Sequence, residues 1–267
     1  MTYDTLLVDR DARGVARVTL NLPGKRNAMS GRMIEELTHL AGHLATAPET
    51  RVIVLEGAGK VFCAGGDLAW MQAQTAADRA TRIAEARKLA LMLRALNELP
   101  VPLISVLHGG AFGGGVGLAC VSDVALAARD CRFGLTETRL GLIPATIGPY
   151  VVARMGEGKA RRVFMSSRLF GAEEARDLGI VAGLFEAAER EAAVAAEVDP
   201  YLSVAPGAVA AAKALARSLG PRIDDAVIES TIARLADTWE GEEAAHGIAA
   251  FLDRRPARWS GEGGGQG

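Results

Sequence analysis

The chain has 267 residues, enough for one large domain or a core with an appendage. With 49% hydrophobic and 23% charged residues, a formal net charge of −2 and no basic stripe, it has the composition of a water-soluble globular protein and little that suits a nucleic-acid or membrane-surface partner. No apolar run has the length of a membrane span and the first four residues start no signal peptide; Cys63, Cys120 and Cys131 are too few and too unevenly spaced for a disulfide framework or a zinc site. A cytoplasmic protein with reduced thiols and no metal is expected.

Thr5–Val8 and Val15–Leu20 read as strands, parted by the hairpin-like Asp9–Gly14. The loop Asn21–Met29 carries the basic pair Lys25-Arg26, which is either solvated surface or a ligand contact. Ser30 is suited to cap a helix running to about Ala47, with Met33, Ile34, Leu37, Leu40, Ala41 and Leu44 on one face. His39 and His43 share that helix, but without a third ligand they read as a wet face. A strand at 51–55, a glycine turn at 59–68, a short helix from Asp67 and a longer one from about Ala76 to Glu98 follow.

Val101–Leu107 is apolar and partly β-branched, a buried strand, and it leads into G-G-A-F-G-G-G from Gly109 to Gly115. Five glycines in seven residues let the backbone turn sharply and approach a ligand where a Cβ would obstruct it; the plain alternative is a close-packed turn. A short helix from Gly115 and a strand at 124–127 come next, with Asp123 placed to bind backbone N–H groups. Glu137 is a carboxylate among apolar neighbours in 132–144, where desolvation would raise its pKa. A helical hairpin at 150–155 and 158–166 is followed, across 169–181, by a short helix with a glycine stop and a strand.

From Ala187 onward helical periodicity dominates, over 187–199, 206–219, 223–240 and 242–252. Trp239, Phe251 and Trp259 are either interface or core, with core the preferred reading. The chain thus divides into a core at 1–186, a helical region at 187–260 that packs on it or on other subunits, and a glycine-rich tail at 261–267 with no means of folding. The turns at 59–68 and 109–115 each leave the end of a strand, in a chain whose strands are separated by helices. Ligands of parallel sheets lie beyond the carboxyl ends of strands, so one N–H from each turn can meet on a single oxygen.

F-C-A-G-G-D-L at 62–68, H-G-G-A-F-G-G-G at 108–115 and F-G-L-T-E-T-R-L-G-L-I-P at 133–144 resemble the enoyl-CoA hydratase/isomerase (crotonase) superfamily, and the likeness runs from about residue 4 to residue 259. The resemblance implies an α/β fold, a spiral of β-β-α units with a C-terminal helical region, assembled as trimers or hexamers. It also implies an acyl-CoA thioester substrate, with CoA entering as part of the substrate and no bound cofactor. In the family two backbone N–H donors hold the thioester oxygen; by motif these are Gly66 and Gly114. Glu137 matches the catalytic acid–base, and Arg26, Ala28, Ala64 and Asp67 fall at positions lining the CoA site.

One position departs from that pattern. Hydratases with two catalytic carboxylates carry a Glu where this chain has Gly117, so Glu137 stands alone. It would activate water and return the proton to the α-carbon, shuttle a proton between carbons in an isomerase, or work with a replacement from elsewhere. F-C-A-G-G-D-L-A-W-M at 62–71, F-G-G-G-V-G-L at 112–118 and L-G-L-I-P-A-T-I-G-P-Y at 140–150 resemble more narrowly the bacterial methylglutaconyl-CoA and isohexenylglutaconyl-CoA hydratases, whose branched substrates bear a second carboxylate. Arg139, Tyr150 and Arg154 are the candidates to bind it. The expectation is hydration of 3-methylglutaconyl-CoA in leucine breakdown, with an enoyl-CoA isomerase or the isohexenylglutaconyl-CoA hydratase of acyclic-terpenoid degradation as alternatives.

Overall fold

A computed structural model describes residues 2–260; the tail expected at 261–267 lies outside the described residues. β1 (Leu6–Arg10) and β2 (Val15–Leu20) form the antiparallel hairpin, and α1 (Gly31–Thr46) starts where Ser30 accepts a hydrogen bond from the Met33 N–H. β3 (Val52–Gly57) pairs parallel with β2, and α2 (Leu68–Ala76) and α3 (Arg79–Asn97) lead to β4 (Leu103–Leu107) beside it. Next come β5 (Gly110–Phe112), α4 (Gly114–Val121), β6 (Val124–Ala128) and β7 (Arg132–Gly134). The hairpin α5 (Gly148–Met155) and α6 (Glu157–Phe164) precedes β8 (Leu169–Gly171), α7 (Ala172–Leu178) and β9 (Gly183–Phe185). α8 (Arg190–Leu202), α9 (Pro206–Leu219), α10 (Asp225–Trp239) and α11 (Glu242–Leu252) complete the chain.

The strands make a six-stranded sheet, β1-β2-β3-β4-β6-β9, parallel from β2 onward, and a three-stranded sheet, β5-β7-β8. Alternation along β3 explains why the larger sheet is covered on both faces. Ile53 and Leu55 point into the main core with α1, α3 and α4, while Val52 and Val54 pack against Val194 and Val198 of α8. Both faces are dry, so the Gly-rich turns emerge at a rim fixed by buried strands. No described helix is long and apolar enough to cross a membrane.

The second sheet escaped the sequence reading. β5 was expected as part of a glycine turn, since Gly-Ala-Phe carries no strand propensity. Tertiary pairing makes it a strand: it runs parallel to β7 with Ala111 opposite Phe133, and on its other edge the Cys63 N–H donates to Gly110 O and the Phe112 N–H to Cys63 O, at 3.1 and 3.0 Å. β8 is too short to show a period, and the last strand lies at 183–185 rather than at the end of 169–181. α8 starts at Arg190, after a 3-10 turn at 187–189, and not at Ala187. Trp239 is core at 7% exposure, but Phe251 and Trp259, at 50% and 39%, are not.

Candidate active site

The first turn is shaped by its neighbours before any side chain enters it. Asn27, fully buried, accepts from the Leu22 N–H and donates to Ala58 O and Val61 O, tying the 21–29 loop to the 58–61 turn. Sequence reasoning passed over Asn27 as loop; its left-handed φ of 51° beside Arg26 at 52° is a conformation asparagine tolerates well. The Ala64 N–H is taken by Arg26 O at 3.0 Å. Gly65 has φ +92° and a Cβ there would sit 3.3 Å from Phe112 O, so glycine suits it on both counts.

Gly66 forms a parallel bridge with Met29 in which the Met29 N–H donates to Gly65 O and the Asp67 N–H to Met29 O. A residue bridged in this way turns its own N–H to the opposite side, and the Gly66 N–H has no acceptor among the described residues. Asp67, 6% exposed, accepts from the Ala69 and Trp70 N–H groups as N-cap of α2, and its other oxygen meets Lys25 Nζ at 3.2 Å. Both oxygens are occupied, so its part in a ligand site is to hold the turn. Met71 of the same helix comes within 4.0 Å of where a Gly66 Cβ would be.

In the second turn, Gly113 (φ +48°, ψ −115°) reverses the chain from β5 into α4 and serves as the helix N-cap. Gly113 O accepts from Val116 and Gly117, while the N–H groups of Gly114 and Gly115 have no partner among the described residues. They point out of the positive end of the α4 dipole, where negative charge is favoured. The Met29 methyl lies over Gly114, occupying the space a Cβ would need.

Glu137 opens a 3-10 turn over 137–140, not the irregular loop expected, and this turn follows β7 of the small sheet. A Cβ added to Gly113 would lie 3.0 Å from Glu137 Oε1 and 3.9 Å from Gly65 Cα. The three motifs, far apart in sequence, therefore meet within one side chain's reach. Glu137 Oε2 is buried with no hydrogen-bond partner. Burial pushes its pKa up to about 7, with its own backbone N–H opposing and no charged neighbour contributing. Such a carboxyl exchanges a proton near neutral pH beside two free N–H donors, an arrangement suited to forming and protonating an enolate.

The other expected residues separate. Ala28 is buried at 8% beside the first turn, whereas Arg26 is exposed and its guanidinium has no partner among the described residues. The three candidates for a distal carboxylate are committed elsewhere or lie elsewhere. Arg139 binds Ser167 O, and Arg154 binds the carbonyls of Cys120, Ser122 and Asp123 at the C-terminal end of α4. Tyr150 lines a different cleft of about 470 Å³ with Arg94, Cys120 and Arg217, near the end of α4 remote from Gly114. Asp123 does bind backbone as expected, accepting from the Leu103 N–H at 2.8 Å, and also from Lys213 Nζ at 2.7 Å.

At Gly117 there is no room for a side chain: a Cβ would lie 2.5 Å from Ile147 Cγ2 and 3.6 Å from Leu93 Cδ2. Hydrocarbon fills that volume. Cys63, next to the first turn, is fully buried and its thiol is pushed up to about 12 by burial, so it packs rather than attacks. No three His, Cys, Asp or Glu side chains gather as a metal site among the described residues.

Comparison with known proteins bears on the family and the fold. The family model for enoyl-CoA hydratase/isomerase matches residues 10–262. The enoyl-CoA hydratase AKT6-1 of Alternaria alternata is 30% identical over 252 residues, covering 92% of this chain and 81% of that protein. The crystal structure of an enoyl-CoA hydratase from Shewanella pealeana superposes with a TM-score of 0.80 at 35% identity, covering 97% of both chains. Pseudomonas aeruginosa AtuE superposes at 0.78 with 37% identity, over 96% of this chain and 99% of the other.

Proposed function

Because this chain belongs to the enoyl-CoA hydratase/isomerase family, we propose that it is a cytoplasmic hydro-lyase that adds water to a branched 2-enoyl-CoA, with 3-methylglutaconyl-CoA as its substrate. The thioester oxygen is held by the N–H groups of Gly66 and Gly114. Ionised Glu137 takes a proton from water as the oxygen attacks the β-carbon; the electron pair of the double bond moves onto the thioester oxygen. Glu137 then returns the proton to the α-carbon and the enolate collapses. Loss of one N–H donor of this kind costs about 100- to 1,000-fold in rate. Arg26, Ala28, Ala64 and Asp67 surround the CoA portion, the last two by shaping the turn.

The observation that carries this reading is the buried, partnerless Glu137 carboxyl facing the junction of the two glycine turns. Glu137→Gln is expected to abolish turnover of 3-methylglutaconyl-CoA, followed by loss of the conjugated thioester absorbance, with ligand binding near normal. Turnover retained in that variant overturns the assignment.

The apolar wall at Gly117 and Ile147 favours a second reading, an enoyl-CoA isomerase, for which one carboxylate suffices and a second water-holding group is superfluous. Reaction in heavy-oxygen water separates the two, since only hydration carries solvent oxygen into the product. We further propose a homotrimer or a pair of trimers. Support comes from α9, which buries none of its residues and exposes Leu215 and Leu219 at 60% and 79%.

A further inference from the structure

No other residue donates a hydrogen bond to the Glu137 carboxyl among the described residues, so the placement of that group is inherited from the main chain beneath it. That main chain is a single 3-10 turn, a conformation with poor hydrogen-bond geometry and little stability of its own, and Thr136 at its start supplies no side-chain cap. Its hold therefore comes from outside. On one side α11 presses against it: a Cβ on Gly247 would lie 2.6 Å from Leu140 C, and one on Gly141 2.4 Å from Glu243 C. On the other side stands Ser167, between α6 and β8.

Ser167 is 4% exposed and adopts φ +49°, a left-handed conformation that costs a residue with a Cβ free energy and persists where surroundings enforce it. Its hydroxyl accepts from the Arg139 N–H at 3.1 Å and shares a hydrogen bond of 2.5 Å with Thr138 Oγ1. Its carbonyl accepts from Arg139 Nη2 at 3.3 Å. Register places this latch: β7 and β8 pair with Gly134 opposite Leu169, so the residues that follow β7 and those that precede β8 leave the small sheet at the same end.

We infer that Ser167 is a positioning residue for Glu137, a reading that rests on the proposed role of that carboxylate. Bonded to the second and third residues of the turn, the Ser167 hydroxyl holds the first residue's side chain inward against Gly113. Without it, the turn rotates and the carboxyl reaches water.

Ser167→Gly keeps the left-handed backbone accessible and removes the hydroxymethyl group that makes the latch, and Thr138→Val removes the other half of the shared bond while keeping a β-branched side chain. Carbon-13 labelling of glutamate carboxyls, with the Glu137 resonance assigned by its absence in Glu137→Gln, reads the effect without substrate. The resonance is expected to titrate near neutrality in the parent and to move toward the ordinary carboxylate range in Ser167→Gly, while kcat for 3-methylglutaconyl-CoA falls about 100-fold with KM little changed. Thr138→Val shifts both in the same direction by less, and it serves as the test if Ser167→Gly does not fold. A folded Ser167→Gly protein whose Glu137 titration is unchanged overturns the inference. If Glu137→Gln retains turnover, both this reading and the proposed function fall; if Glu137→Gln is dead and the Ser167 and Thr138 variants match the parent, only this one does.

Discussion

Glu137 is governed by a conflict between burial and charge that sets both activity and stability. As the proposed base, Glu137 acts only in its ionised form; with burial raising its pKa to about 7, kcat/KM should rise through about 7 on its acid limb, and a pH–rate profile checks this. For stability the sign is the reverse. The folded chain holds this proton more tightly than the unfolded chain, so the contribution is fully present below the ordinary carboxylate pKa of about 4.3 and is lost as pH rises through the folded value. Glu137→Gln should therefore unfold at the same temperature as the parent at low pH but be more stable by roughly 3–4 kcal/mol above neutrality, measured by thermal melts across pH. Gly117 supplies the complementary test at this scale. Gly117→Glu alone drives its Cβ into Ile147, 2.5 Å away, and should lower the melting temperature, since overpacking costs about 1–3 kcal/mol. Adding Ile147→Gly opens the volume and should recover part of that loss, read in the same melts.

At the scale of the element, the site is two loops and a turn whose shapes are set by partners outside them. Asp67 shows how: one oxygen caps α2 and the other meets Lys25, so a single carboxylate joins the 21–29 loop to the helix that follows Gly66. Asp67→Ala should cost about 1–2 kcal/mol, the usual range for losing an N-cap, and should lower kcat by loosening Gly66; Asp67→Asn, which still caps, should lose less of both. Melting temperature and turnover of the two variants decide it. Elements with a strong local period, such as α1 with its Ser30 cap and the strands at 52–57 and 103–107, were readable within one or two residues. β5, β8 and the 137–140 turn were not, because pieces of three or four residues have no period and are made by pairing with distant chain. Ser167 belongs with them: a serine in a polar loop signals nothing until β7 and β8 are side by side.

The whole molecule divides its labour between a core closed on itself and helices that are only partly used. Main-sheet strands are buried on both faces, while α9 buries none of its residues and is held to the rest by polar ties such as Lys213 to Asp123. If α9 is the contact between subunits, the double variant Leu215→Glu, Leu219→Glu should sediment at the 27.9 kDa of one chain, and the parent at three or six times that mass; a parent that already sediments as one chain removes the proposal.

Three glycine- and glutamate-bearing motifs, the succession of parallel strands and the solitary state of Glu137 were all present in the order of residues, since each depends on local composition and spacing. The meeting of Gly65, Gly113 and Glu137, the raised pKa, the hydrocarbon filling at Gly117 and the removal of Arg139, Tyr150 and Arg154 from contention were decided only by the folded chain. The physical reason is common to all of them. Desolvation and steric exclusion are properties of a place, and a place in this protein is assembled from segments that the sequence keeps dozens of residues apart.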